Sequence, residues 1–158
     1  MNPNQQIIEE FYAGFASHHA DTMVSCYHPD VVFHDPAFGT LHGKDAGDMW
    51  HMLIERSKGQ LQIEFSNVSA DETSGSAQWV ATYIFSKTNR KVVNKIQAQF
   101  EFKDGLIIKH TDRFDLWKWS SQALGFTGLV LGWTNFMQQK IRQQAIQSLR
   151  AYQNKPRN

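Results

Sequence analysis

The chain has 158 residues, of which 41% are hydrophobic, 13% aromatic and 20% charged. This length and composition are typical of one globular domain and exclude a disordered chain. The single cysteine, Cys26, excludes a disulfide scaffold and a thiolate zinc site, and it is typical of a reducing compartment. Because no apolar run is long enough to span a bilayer and the N-terminus lacks signal-peptide features, we expect a soluble, cytoplasmic, unprocessed protein.

The charge is distributed unevenly along the chain, although the formal net charge is only +1. All 15 acidic residues precede Leu116, and the segment from Leu116 to Asn158 contains six basic residues and no acid. Such a tail can attract nucleic acid or an anionic membrane, or it can lie on the acidic body of its own chain or of a second copy. Because six charges over this length form a dilute patch, we expect neither a nucleic-acid nor a membrane partner.

The N-terminal part combines helical spacing of apolar residues with proline and glycine breaks, which predicts three helices and one strand. The first helix starts at Asn2 and Pro3, and its apolar face consists of Ile7, Ile8, Phe11, Tyr12 and Phe15. The second is short, is capped by Asp21 and has Met23, Val24 and Tyr27 on its inner side. A strand from Val31 to Asp35, a loop from Gly39 to Gly43 and a helix from Lys44 to Arg56 follow. Pro36 ends the strand because proline cannot donate to the next ladder position.

Four segments with period-two alternation follow, separated by turn signals such as Lys103-Asp104-Gly105. Their residues of common parity are Leu61, Ile63 and Phe65; Trp79, Ala81, Tyr83 and Phe85; Ile96, Ala98, Phe100 and Phe102; and His110, Asp112, Phe114 and Leu116. They predict a four-stranded antiparallel meander. The order of elements predicts an α+β fold in which a curved antiparallel sheet wraps around three N-terminal helices, with a pocket on the concave side.

The segment after Trp119 is apolar but contains three glycines, which favour close packing or a break. A narrow stripe at four-residue spacing follows, formed by Met137, Ile141, Ala145 and Leu149. Such a stripe is typical of a helix that docks on its own domain or on a partner subunit. We therefore predict a domain over residues 1–119 and a C-terminal helical extension over residues 120–158, packed over the sheet or the pocket mouth of the same domain.

Two aspartates are candidates for acid/base chemistry. If Asp35 lies among aromatic side chains, desolvation raises its pKa and suits it to proton transfer; the alternative is a residue that caps the turn at Pro36. Asp112 has the same strand parity as His110, and such a pair is either a polarised acid/base pair or a structural hydrogen bond. Tyr12 is a candidate donor to the same cavity, or else a core tyrosine.

Aromatic residues are candidate walls for a flat apolar ligand, unless they are simply core. The predicted ligand-binding set is Phe15, Phe33, Phe38, Trp50, Trp79, Tyr83 and Phe114. Because neighbours on a strand point to opposite faces, His34 and Asp35 do not both face one ion, and we expect no metal. The chain has no glycine-rich phosphate loop and no nucleophile motif, so we expect no cofactor and no covalent hydrolysis.

Two stretches of the sequence resemble a known superfamily. The run FYAGFASHHADTMVSCYHPDVVFHDPAFGTLHGKDAGDMW resembles the opening of the nuclear transport factor 2-like superfamily, especially its SnoaL-like and ketosteroid isomerase-like branches. The ending FEFKDGLIIKHTDRFDLWKW resembles the closing hairpin of the SnoaL-like group. The resemblance covers residues 5 to 119. It implies a cone-shaped, cystatin-like fold and a homodimer formed through the outer face of the sheet.

The same resemblance implies roles for individual residues. It places Asp35 at the general base of the ketosteroid isomerases, Tyr12 near their oxyanion-hole tyrosine, and Asp112 at the acid/base site of the SnoaL-like cyclases. Two departures are visible. The second oxyanion donor of the isomerases aligns near Ala98, where this chain has no acid, and Arg113 has the wrong parity to join Asp112 in the Asp-Arg-Asp set of the epoxide hydrolases.

Two hypotheses about function follow from these residues. The first is a cofactor-free isomerase, cyclase or dehydratase acting on an apolar ligand, in which Asp35 or Asp112 takes the proton, His110 supports Asp112, and Tyr12 donates to the developing oxyanion. The second is a non-catalytic ligand-binding or dimerisation module with the same fold.

Overall fold

The computed structural model describes residues 2–155, which form six helices and six strands. The helices are α1 (Pro3–Ala16), α2 (Ala20–Ser25), α3 (Lys44–Ser57), α4 (Leu116–Leu124), α5 (Phe126–Leu131) and α6 (Asn135–Asn154). The strands are β1 (Tyr27–Asp35), β2 (Gly39–His42), β3 (Gln62–Ala70), β4 (Ser74–Phe85), β5 (Arg90–Lys103) and β6 (Leu106–Arg113). This is the predicted α+β arrangement, with helices before and after a curved sheet.

The first helix follows directly from its sequence. Asn2 caps α1 by accepting a 2.8 Å hydrogen bond from the backbone N–H of Asn4, and proline occupies the first helical position. The apolar face predicted for this helix is buried at Ile8, Phe11, Tyr12 and Phe15. α1 thereby closes one side of the core that lies inside the sheet.

The second helix is shorter than predicted. α2 ends at Ser25, and Tyr27 is the first residue of β1 rather than a helical residue. The backbone N–H of Ile107 donates to the Cys26 carbonyl at 2.9 Å, and Tyr27 pairs with Ile107 on β6. Pairing with a distant strand therefore overrides the helical spacing of the local sequence, and this places the Tyr27 side chain in the core.

The sheet is mixed, not purely antiparallel as the sequence predicted. Its strand order is β2-β1-β6-β5-β4-β3, and β1 runs parallel to β6 while the other neighbours are antiparallel. The meander from β3 to β6 has the predicted connections. Residues 39–42, predicted as loop, form the edge strand β2 because the backbone turns at positions 36–38 and pairs back on β1. The register of β5 with β6 sets Ala98 opposite Asp112 and Phe100 opposite His110.

The C-terminal segment packs against the rest of the domain in two places. α4 lies on β5, where the Gln122 side chain accepts from the Val93 backbone N–H at 2.8 Å and donates to the Val93 carbonyl at 3.1 Å. α6 lies on α3, where Arg150 contacts Asp45 through two hydrogen bonds of 2.9 and 3.0 Å. Residues 156–158 of the predicted extension lie outside the described residues. None of the described helices is long and apolar enough to cross a bilayer.

Candidate functional site

A cavity of about 600 Å³ opens between the inner face of the sheet, α3 and the C-terminal helices. Six of the seven predicted wall residues line this cavity: Phe15, Phe38, Trp50, Trp79, Tyr83 and Phe114. Phe33 is the exception. It is completely buried behind the cavity wall, with its ring perpendicular to those of Trp50 and His110 at centroid distances of 5.4 and 5.1 Å.

Asp35 is the last residue of β1, and its side chain lines the cavity while 8% exposed. Burial raises the pKa of this carboxyl from 3.8 to about 7; the N–H of Phe38, which donates to Oδ1 at 2.6 Å, opposes the rise, and the negative charge of Asp112 adds to it. Both interpretations of the sequence therefore describe this residue. Asp35 caps the turn after β1, and it also presents a carboxyl with a near-neutral pKa to an apolar cavity.

Asp112 lies on the same cavity at the end of a buried chain of hydrogen bonds. His110 Nε2 lies 2.8 Å from Asp112 Oδ1, and the indole N–H of Trp79 donates to the same oxygen at 3.3 Å. On the other side of the imidazole, the Tyr27 hydroxyl lies 2.8 Å from His110 Nδ1 and accepts a 2.9 Å hydrogen bond from Trp50 Nε1. Both bonds to Asp112 end on Oδ1, which leaves Oδ2 available to a ligand.

Both ring nitrogens of the buried histidine have polar partners. Nδ1 faces the Tyr27 hydroxyl and Nε2 faces Asp112, so the imidazole is held in one orientation from both sides. The tautomer with the proton on Nε2 satisfies every contact, since that N–H donates to Asp112 while the Tyr27 hydroxyl accepts from Trp50 and donates to Nδ1. His110 is completely buried and does not line the cavity, so it contacts Asp112 but does not contact a ligand in the cavity.

Tyr12, the predicted donor, is not brought to the cavity. Its ring is completely buried and stacks on Phe65 at 5.5 Å, because α1 packs this face into the core. Within residues 2–155 its hydroxyl is the one buried side-chain polar atom without a hydrogen-bond partner. Burial, together with the charge of Asp112, raises the pKa of this phenol well above its usual value.

Two polar side chains that the sequence analysis did not assign to the chemistry also face the cavity. Tyr83 accepts a 2.6 Å hydrogen bond from the indole N–H of Trp119, which leaves its own hydroxyl proton for a ligand; burial raises the pKa of this phenol to about 12. Asn94 is 9% exposed and lines the cavity, so its amide is a further polar group that can contact a ligand. The signal for Asn94 was present, since it continues the inward parity of Ile96 and Ala98 with a polar residue.

The arrangement of titratable groups bears on metal binding. Within the described part of the chain, no group of three His, Cys, Asp or Glu side chains is arranged to hold a metal ion.

A model of the SnoaL-like domain family matches residues 8–110, which run from α1 into β6 and include Asp35 but not Asp112. The chain belongs to the SnoaL-like domain family. No curated protein is similar enough to count as a relative.

Solved structures similar to this SnoaL-like chain share its fold at low sequence identity. A proposed polyketide cyclase from Xanthomonas campestris is 18% identical, with 76% of this chain and 96% of that chain covered at a TM-score of 0.62. An LEH-like epoxide hydrolase from M. tuberculosis is 22% identical, with coverage of 82% and 96% and a TM-score of 0.60. TerC crystallised with polyporic acid is 20% identical, with coverage of 72% and 92% and a TM-score of 0.60. These likenesses establish the nuclear transport factor 2-like fold.

Proposed function

We propose that this SnoaL-like protein is a cofactor-independent enzyme that moves protons on an apolar small molecule. The observation that carries the proposal is that two buried carboxylates, Asp35 and Asp112, line the same apolar cavity. Two such groups in different environments can divide the roles of acid and base. Asp35 has a pKa of about 7, which suits a group that must both accept and release a proton near neutral pH.

The remaining cavity groups supply what a proton abstraction requires. In the proposed reaction, Asp35 takes a proton from a carbon next to a carbonyl group, and the electron pair of the broken C–H bond moves onto the carbonyl oxygen. Tyr83 has a hydroxyl proton left for a ligand and Asn94 has an amide on the cavity wall, and both groups donate to that oxyanion. Asp35 then returns the proton to another carbon, which gives isomerisation. Alternatively, Asp35 delivers the proton to a hydroxyl group that leaves as water while the carbonyl re-forms, which gives dehydration.

The size of the cavity and the similar structures support a small organic ligand. A volume of about 600 Å³ lies in the usual range for small-molecule pockets, which are mostly apolar with a few polar groups. One structure with this fold was crystallised with polyporic acid, and another is a proposed polyketide cyclase. We therefore infer a flat, oxygenated, largely apolar substrate.

The experiment has two stages. A thermal-shift screen of steroids, polyketide fragments, terpenoids, fatty acids and epoxides first finds ligands, because ligand at about 100 times its dissociation constant adds roughly 2.7 kcal/mol of stability. Each ligand is then incubated with the protein in deuterium oxide, and mass spectrometry measures deuterium incorporation at carbon. We expect incorporation with wild type and its loss in Asp35→Asn. Asp48→Asn is the matched control, since Asp48 is also a buried carboxylate, at 7% exposed, but does not line the cavity.

A binding protein without chemistry is the second candidate. The observation that favours it is the position of Tyr12, whose hydroxyl lies off the cavity although the family resemblance implies an oxyanion donor there. Ligands that stabilise wild type and Asp35→Asn equally, with no deuterium incorporation in either, would establish this candidate and remove the enzymatic proposal.

A further inference from the structure

An exposed apolar surface lies at the C-terminal end of the molecule, on α5 and the turn into α6. Phe126, Trp133 and Phe136 are 79%, 69% and 72% exposed, respectively. Leu129, Val130 and Leu131 are exposed as well. We call these six residues the apolar patch. Single exposed apolar residues are ordinary, but six large ones within eleven positions indicate a surface that contacts something else.

The apolar patch is held rigidly. Gly128 and Gly132 lie on the other side of α5 against Ser120 of α4, and a β-carbon at Gly128 would overlap the Ser120 carbonyl. The Trp133 indole N–H donates to the Val130 carbonyl at 2.8 Å, so its donor is already satisfied. Burying this ring in an apolar medium therefore leaves no unpaired polar group.

The charged residues nearest to the apolar patch in the chain are basic. Two stretches without any acid meet here, residues 73–100 and residues 116–155. The Arg90 side chain packs against Gly125 and donates to the Gln122 carbonyl at 2.8 Å, and Lys118 on α4 and Lys140 on α6 are exposed. The acid nearest in sequence is Asp115, which caps α4.

This charge distribution discriminates between two possible partners of the apolar patch, a second copy of this chain and an anionic bilayer. In a symmetric contact with a second copy, the same surface would face itself and bring these cations together, which is unfavourable. An anionic bilayer attracts them, and its interfacial region accommodates tryptophan and phenylalanine rings.

We propose that the apolar patch docks this protein peripherally on an anionic phospholipid bilayer. The aromatic rings enter the interfacial region and the flanking cations contact the head groups. The cavity adjoins this surface, since Thr127 and Met137 line the cavity and are the chain neighbours of Phe126 and Phe136; we place the entrance for the ligand on this side. An apolar compound dissolved in the bilayer thus reaches the cavity without crossing water. This route for the ligand rests on the proposed function, whereas docking does not.

Vesicle co-sedimentation of the full chain tests the docking. We expect wild type to pellet with phosphatidylcholine vesicles that contain phosphatidylglycerol, and to pellet less with pure phosphatidylcholine or at raised salt. Replacing three rings (Phe126→Ser, Trp133→Ser and Phe136→Ser) should lower the partition coefficient by about tenfold or more. The matched control is Ile84→Ser with Val93→Ser, which removes residues 42% and 38% exposed on the sheet and should leave partition unchanged.

A charge-reversal pair separates the electrostatic contribution. Lys118→Glu with Lys140→Glu should weaken binding to the anionic vesicles, whereas Lys103→Glu with Lys109→Glu, at the opposite end of β5 and on β6, should not. Circular dichroism verifies that each variant is folded.

Three results would overturn the docking. The first is no pelleting of wild type with anionic vesicles, and the second is equal pelleting of the folded triple variant. The third is a dimer in analytical ultracentrifugation that the triple variant abolishes while wild type does not bind vesicles, since this assigns the patch to a second copy. Docking that persists when the deuterium experiment fails supports the docking and removes only the ligand route.

Discussion

At the scale of single residues, burial gives Asp35 its chemical interest. An exposed carboxyl after a strand would only cap a turn, whereas this one is 8% exposed and lines the cavity opposite aromatic walls. Its chemistry is therefore inseparable from a cost in stability, because burial opposes ionisation of this carboxyl more than the Phe38 N–H and the charge of Arg142 favour it.

Asp35→Asn should reveal this cost as a pH dependence. The folded pKa of about 7 exceeds the ordinary value of 3.8, so the folded state holds the proton more tightly than the unfolded state, and ionisation costs on the order of 4 kcal/mol. The stability contribution of Asp35 is fully present below the lower pKa and is lost as the pH rises through the higher one. In urea unfolding of both proteins from about pH 4 to pH 8, the free energy of unfolding of the asparagine variant should rise relative to that of wild type as the pH increases. A constant difference across that range would contradict the pKa and with it the role of Asp35.

Two core tyrosines, Tyr12 and Tyr27, should respond differently to loss of the hydroxyl. Tyr27→Phe removes the partner of both Trp50 and His110 and should cost about 1–3 kcal/mol in the free energy of unfolding. Tyr12→Phe removes a hydroxyl that has no partner and should be neutral or stabilising. Chemical denaturation measures both, and the Nδ1 signal of His110 in nitrogen NMR should shift only in Tyr27→Phe, which removes the hydroxyl beside that atom. Equal effects of the two substitutions would contradict the hydrogen-bond chain.

At the scale of elements, helices and strands that depend on local interactions were predicted, whereas a strand pair that joins distant segments was not. α1, α3 and the meander from β3 to β6 were predicted with their approximate bounds, because caps, helical spacing and tight turns act within a few residues. The parallel pair of β1 and β6 was missed, since nothing in either segment states that the two lie side by side. The edge strand β2 was predicted as a loop from Gly39 to Gly43, although it pairs with β1 across a turn of only three residues.

α6 provides a comparison of two kinds of docking contact. Leu149 is completely buried against the core, so Leu149→Ala should cost about 2–5 kcal/mol. The ion pair of Arg150 with Asp45 is half exposed, with side-chain exposures of 50% and 31%, so Arg150→Ala should cost at most about 1 kcal/mol. Urea unfolding measures both. A larger effect of Arg150→Ala would mean that α6 is held by charge rather than by burial.

At the scale of the whole molecule, the C-terminal helices connect the cavity to the outer surface. Residues of α4, α5 and α6, among them Leu124, Thr127, Met137 and Ile141, complete a wall that the sheet and α3 leave open. The stripe predicted for the last helix faces the domain at Met137, Ile141 and Leu149, while the residues of the apolar patch face outward. The same segment therefore closes the cavity and supplies the proposed contact with a bilayer.

The sequence by itself determined the fold class, the meander and the shared face of His110 and Asp112, because alternation and turn chemistry are local properties of the chain. The sequence analysis missed Asn94, although its polar side chain shares the inward parity of Ile96 and Ala98. Only the tertiary structure decided that the Tyr27 hydroxyl contacts Nδ1 of His110 and that Tyr12 lies in the core. The burial of Asp35 was likewise decided by the tertiary structure, because it depends on α3, α6 and the sheet meeting around one cavity. Strand pairing and side-chain burial join residues far apart in the chain, and no local pattern encodes which distant surface will cover a given side chain.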